Sequence, residues 1–127
     1  MKPAIVYDDF VPGAVLGEAT EAYDPALAAG WQRIFGPQPA DGAAIAVVMM
    51  MRAYLAVVAP RPPGNVHASQ GFALAAEPRT GERIRTVVSC LGKEMRRGRR
   101  HVELRTEGTG EGGRPIYTGR MKLIWAA

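Results

Sequence analysis

Ala43-Ala44-Ile45-Ala46-Val47-Val48-Met49-Met50-Met51-Arg52-Ala53-Tyr54-Leu55-Ala56-Val57-Val58 is apolar on nearly every side, with Arg52 its only charge. Ile45, Val47, Val48, Val57 and Val58 are β-branched, but Met and Ala favour helix and the run is too long for a usual strand. A helix with no polar face must be buried on nearly every side. Strand-like segments follow it, so the economical wrapping is a single curved sheet. The stretch therefore predicts an α+β fold, with a curved antiparallel sheet wrapped around a long buried central helix.

Other readings of the stretch fail on length and charge. A membrane-spanning helix needs about 20 apolar residues; this run is shorter, and Arg52 would lie deep in the bilayer. No membrane association is expected. A secretory signal would be N-terminal, whereas Met1 to Phe10 turns acidic at Asp8 and Asp9. The length of 127 residues predicts a single domain over 1–127, and 47% hydrophobic residues suffice for a core. Cys90 is the one cysteine, which rules out an intrachain disulfide or a cysteine-based zinc site and fits a reducing, cytoplasmic location. Beside Val88 and Leu91, Cys90 reads as a packed core residue.

The net charge of +4 is concentrated. Lys93, Arg96, Arg97, Arg99 and Arg100 against Glu94 supply all of it, so the remainder is near neutral. Such a cluster is either a solvated turn or a contact for an anionic partner, with phosphate groups foremost. Nucleic acid is not expected: no aromatic residue lies between Phe72 and Tyr117 to stack on bases.

Residues 4–23 read as an irregular entry with one or two short extended pieces. Asp24-Pro25 starts a helix through Phe35, with Leu27, Trp31 and Ile34 facing the core and Gly36 as its stop. Pro60 to Gly64 ends the central helix. Val66 to Ala76 is extended. From Glu82, Ile84, Thr86, Val88 and Cys90 alternate with outward residues, until Gly92 and the basic cluster turn the chain. Arg99 to Glu107 returns with Val102 and Leu104 inward and His101 outward. A closing strand sets Tyr117, Met121, Leu123 and Trp125 on one face, with Thr118, Arg120 and Lys122 on the other.

Pro62-Pro63-Gly64-Asn65-Val66-His67-Ala68-Ser69-Gln70-Gly71-Phe72, followed by Glu77-Pro78-Arg79-Thr80-Gly81-Glu82, resembles the MaoC-like dehydratase family. Arg97-Gly98-Arg99 and Gly113-Arg114-Pro115-Ile116-Tyr117 extend the likeness, which covers about residues 14–125. The resemblance implies the hot-dog fold, dimerisation, and hydration or dehydration of acyl thioesters on coenzyme A or acyl carrier protein. Hydratases of that family carry Gly-Asp-x-Asn-Pro-x-His before the buried helix. That Asp/His pair can hold a water and shuttle protons to an enoyl thioester. Here the loop reads Gly36-Pro37-Gln38-Pro39-Ala40-Asp41, and the usual pair is gone.

The candidate catalytic residues are therefore Asp41, just before the apolar run, and His67, beside a Pro-Gly bend. Asp41 alternatively serves as a helix cap, and His67 as a structural or surface residue. Lys93, Arg96, Arg97 and Arg99 are the candidate substrate-binding residues, placed to meet coenzyme A phosphates. No metal site and no cofactor are expected, since the two histidines have no carboxylate at ligand spacing. The leading function is a lyase of the enoyl-CoA hydratase/dehydratase type with a divergent loop. The alternatives are a non-catalytic subunit of an active MaoC-like chain, or an acyl-CoA thioesterase using Asp41. Expected partners are an acyl-CoA or acyl-carrier-protein thioester, and a homodimer or a heterodimer with a related hot-dog chain. The acyl group is not legible.

Overall fold

In the computed structural model, five strands form one antiparallel sheet. It describes residues 2–24, 26, 29, 33 and 41–127, the side chains of 41–44 excepted. The helix expected from Asp24 to Phe35 lies largely outside these described residues. Strands β1 (Val15–Ala22), β2 (Val66–Leu74), β3 (Arg83–Arg96), β4 (Arg99–Thr109) and β5 (Pro115–Trp125) are ordered β1-β3-β4-β5-β2. The central helix, Asp41–Val57, packs on one face of that sheet.

The period-2 pattern sets which face is covered. Ile84, Thr86, Val88 and Cys90 of β3 are buried, as are Val102, Leu104 and Thr106 of β4 and Met121, Leu123 and Trp125 of β5. Their alternates form a charged outer face, with Arg85 on Glu18 and Arg120 on Glu103. The helix contributes Ile45, Ala46, Met49, Met50, Ala53, Tyr54 and, just past its end, Val58. Burial on nearly every side is not realised, because Arg52, Leu55 and Ala56 are exposed. A single-layer sheet curls around one side of a helix, and its opposite stripe stays open in the single chain.

Two further expectations are corrected. The chain does not turn at Gly92. A bulge between Cys90 and Gly92 lets β3 run on to Arg96, and only Arg97-Gly98 reverse it. The irregular entry contains a full eight-residue strand, β1, which covers one edge of β3. Ahead of β1, the segment from Ile5 to Phe10 closes one end of the core. Ile5 N–H donates to Pro60 O, Tyr7 N–H to Ala127 O, and the Trp125 indole to Ile5 O, each at 2.8 Å. Phe10 is fully buried, edge-on to Trp125 with ring centroids 5.0 Å apart. Arg61 satisfies the frayed helix end by donating to the carbonyls of Leu55 and Val58 at 2.8 Å.

Candidate functional site

Two ends of the sheet concern function, and the helix direction assigns them. Ile45, Met49 and Met50 pack with Ile84, Ile116 and Tyr117, whereas Tyr54 and Val58 pack with Val102, Leu123 and Trp125. The helix therefore starts at the Tyr117 end and finishes at the Trp125 end. Asp41 is its first residue and lies at the Tyr117 end; its side chain is outside the described set, as is the loop 34–40. His67, by contrast, pairs with Leu123 at the other end and is exposed. Six residues of β5 separate Leu123 from Tyr117, about 20 Å at roughly 3.3 Å per residue. One chain does not bring Asp41 and His67 together.

The Tyr117 end holds a polar pair that sequence reading missed. Thr86 and Tyr117 share a hydroxyl–hydroxyl bond across the core, and Phe72 stacks on Tyr117 with centroids 5.6 Å apart. Burial pushes the Tyr117 phenol up, the nearby Glu21 adds to this, and the Thr86 bond opposes it. Beside them a cleft of about 270 Å³ opens between β1 and the helix. Ala19, Ala53 and Ala56 make room for it, Thr86 lies in its wall, and the Glu21–Arg52 ion pair (3.0 Å) spans the polar side. Nothing in the local pattern marks Thr86 and Tyr117 as partners, since they meet only through the sheet register.

Glu82 anchors the same end. Its carboxylate accepts from the Arg79 amide (2.9 Å), the Glu111 amide (3.1 Å) and the Arg114 guanidinium. The Arg79 amide, then Arg114 and the Glu111 amide, hold its carboxyl below the usual range despite burial. The Pro78-Arg79-Thr80-Gly81-Glu82 turn is the sequence signal that was available for it.

At the Trp125 end the basic residues divide. Lys93 falls on the inner side, opposite Val102; its ammonium donates to Tyr7 O (3.0 Å) and sits 4.4 Å from the Tyr7 ring centroid. Arg96, Arg97, Arg99 and His101 together line an open hollow of about 590 Å³. The structure thus gathers Arg96, Arg97 and Arg99, while Lys93 lines an adjoining hollow of about 360 Å³ with Arg96 and His101. Cys90 is buried with its thiol pushed up, first by burial, and packs in the core as expected. No group of three or more His, Cys, Asp or Glu side chains that could hold a metal occurs among the described residues. Among the same residues no helix is long and apolar enough to cross a membrane.

No protein-family model and no curated protein matches the sequence. Solved structures do match. A MaoC-like dehydratase from Rhodospirillum rubrum superposes with a TM-score of 0.82 at 14% identity, covering 96% of this chain and 97% of that one. The fold is the hot-dog fold. An R-hydratase from Pseudomonas aeruginosa matches at 0.71 and 16% identity, over 96% of this chain and 86% of that one. The ChsH1–ChsH2 complex from Mycobacterium tuberculosis matches at 0.67 and 16%, over 91% of this chain and 98% of the matched one. Some hot-dog neighbours are thus complexes of two different chains. Identities this low establish the architecture, so the reaction has to be argued from the residues.

Proposed function

We propose that this hot-dog chain acts on acyl thioesters in the manner of an enoyl-thioester hydratase or dehydratase with a divergent acid/base pair. The observation that carries this is the near-complete superposition on a MaoC-like dehydratase. In hydration, a base removes a proton from water, the oxygen bonds to the β-carbon, and an acid delivers a proton to the α-carbon. Asp41 is the proposed base and His67 the proposed acid. The helix N-terminus polarises the thioester carbonyl at the same end. Arg96, Arg97 and Arg99 hold the anionic end of the thioester carrier.

The separation of Asp41 from His67 makes a second copy part of this reading. Strand β2 is an edge strand without Pro, Lys, Arg, Asp or Glu between Val66 and Leu74. Both edges have a register shift, but β1 alone carries Glu18 and Glu21, charges that discourage pairing. Two copies joined along β2 in antiparallel fashion share one sheet with both helices on the same side. The second copy's His67 then lies toward the Leu74 end of this β2, the end at which Asp41 starts the helix.

Incubation with short-chain crotonyl-type coenzyme A esters, following enoyl absorbance and free thiol in parallel, tests the activity. Loss of enoyl absorbance without thiol supports it, whereas thiol release moves the assignment to a thioesterase. Mixing Asp41→Asn with His67→Ala chains tests the shared site. Random re-pairing of two inactive variants restores about a quarter of the wild-type sites only if each site draws on both copies. The loop Gly36–Asp41, which lacks the family's usual pair, favours one second reading. In it, this chain is the non-catalytic member of a heterodimer, inactive until mixed with a related chain that keeps the full motif.

A further inference from the structure

We infer that the cleft between β1 and the central helix binds a neutral aliphatic chain that carries a hydroxyl group at one end. This goes beyond the thioester reading, and its test uses no thioester.

Space is the first reason. The cleft holds about 270 Å³, whereas a cavity of about 150 Å³ already accommodates benzene. It exists because Ala19 of β1 and Ala53 and Ala56 of the helix stop at Cβ, so the two elements meet without filling the gap. Its floor is apolar or already satisfied. Met49, Ala53 and Ile84 are buried, and the hydroxyl of buried Thr86 is bonded to Tyr117. An alkyl group settling there strands no polar atom. Burial of about five methylene groups supports a Kd on the order of 1 mM.

The rim is the second reason, and it is charged. Glu21 and Arg52 are the two charged side chains that line the cleft among the described residues, and they pair at 3.0 Å. Both stand where an apolar residue would close the gap. Glu21 occupies an inward position of β1, and Arg52 is the one charge in the apolar run from Ala43 to Val58. Their side chains are 30% and 54% exposed, and an ion pair so wet holds β1 to the helix only weakly.

The pair does, however, discriminate between ligand heads. A carboxylate that approaches Arg52 is repelled by Glu21, and an ammonium that approaches Glu21 is repelled by Arg52. A hydroxyl suits both, accepting from Arg52 while donating to Glu21. Depth sets the length of the chain. Glu21 stands opposite Ile84 and Ala19 opposite Thr86, so rim and floor differ by two strand residues, roughly 7 Å. That is about the extended length of a six-carbon chain with C–C bonds near 1.5 Å.

The test is a proton–nitrogen NMR titration at pH 7 with 1-hexanol, hexanoate and hexylammonium, using wild type, Ala56→Leu and Glu21→Gln. Ala56 is exposed and leucine is a good helix former, so Ala56→Leu obstructs the cleft without disturbing the core. We expect hexanol to shift the amides of Ala19, Glu21, Ala53 and Ala56, and to bind at least fivefold more tightly than either charged chain. Ala56→Leu should weaken hexanol at least tenfold. Glu21→Gln should tighten hexanoate at least threefold, because Arg52 is then unopposed, and leave hexanol within threefold. Equal binding of the three chains, or a preference for a charged one, would overturn the inference. So would hexanol shifts that spare the cleft amides, or hexanol affinity unchanged by Ala56→Leu. None of these results bears on the thioester reading, which the enoyl-CoA assay decides.

Discussion

Replacing Glu82 by glutamine tests the energetic core of the structure. The Glu82 side chain is 3% exposed and bonds to two backbone amides and to Arg114, whose side chain is 24% exposed. Breaking a buried pair from one side typically costs about 3–5 kcal/mol, because the remaining charge is left without a partner. Arg114 retains some water and a bond to Glu77 O (3.2 Å), which lowers that figure. Glutamine keeps only one of the two amide bonds, because the Arg79 and Glu111 amides donate to different carboxylate oxygens and its NH2 group cannot accept. The expected loss for Glu82→Gln is therefore about 2–3 kcal/mol, near 10 °C in Tm for a chain of this length. Glu82→Ala should lose roughly 1 kcal/mol more, since the one amide that glutamine still satisfies then loses its acceptor too.

The sign of the pH effect follows from the depressed carboxyl. A folded-state pKa below the ordinary 4.5 means stability that is fully present above pH 4.5 and is lost as pH falls through the folded value. Urea denaturation, read by tryptophan fluorescence between pH 3 and 7, should show that acid slope in wild type and a reduced slope in Glu82→Gln. Adding Arg114→Met to Glu82→Gln should recover at least about 1 kcal/mol, because no unpaired charge then remains. A loss under about 0.5 kcal/mol, or an unchanged acid slope, would refute the reasoning.

Two neighbouring threonines should respond in opposite directions. Thr86→Val strands the buried Tyr117 hydroxyl and should destabilise by about 1–3 kcal/mol, whereas Thr106→Val removes a buried hydroxyl without a partner and should stabilise by roughly 0.5–1.5 kcal/mol. Gly119→Ala would drive a methyl into Met50 and the Thr106 side chain, with a loss of about 1–3 kcal/mol in denaturant titration. Arg97→Asn relieves the left-handed strain and should raise the unfolding free energy from urea titration by about 1 kcal/mol, whatever it does to binding.

The fold was legible where a period was long enough to read. The inward residues of β3 and β5 follow from alternation, and the central helix from its unbroken apolar run. What the sequence hid was cooperative. Gly17 to Ala22 of β1 alternate in burial, but the inward positions are Gly17, Ala19 and Glu21, so no apolar period marks the strand and its identity comes from pairing with β3. The bulge at Cys90–Gly92 moves Lys93 to the inner face, a change that charge counting cannot detect. The candidate site was legible as residue types alone. Asp41, His67 and the arginines were each identifiable, but their distribution over opposite ends depends on helix direction and sheet register.

That distribution constrains where an acyl chain can enter. At the Trp125 end, Phe10 fills the interior, and Ile5 and Tyr7 are tied by backbone bonds to Pro60 and Ala127. Opening this end means breaking those bonds and exposing Phe10 and Trp125, two of the largest fully buried side chains. The Tyr117 end is different. Phe72 and Leu74 are only partly buried there, and the alanine-lined cleft between β1 and the helix already holds space. An apolar chain therefore reaches the core most cheaply through that cleft, between β1 and the second half of the helix, while the cations that would hold its carrier stand at the far end of the same sheet. A two-fold pairing along β2 would leave that cleft on the outer β1 edge of each copy, so only the Phe72–Leu74 side of the Tyr117 end would come next to the partner.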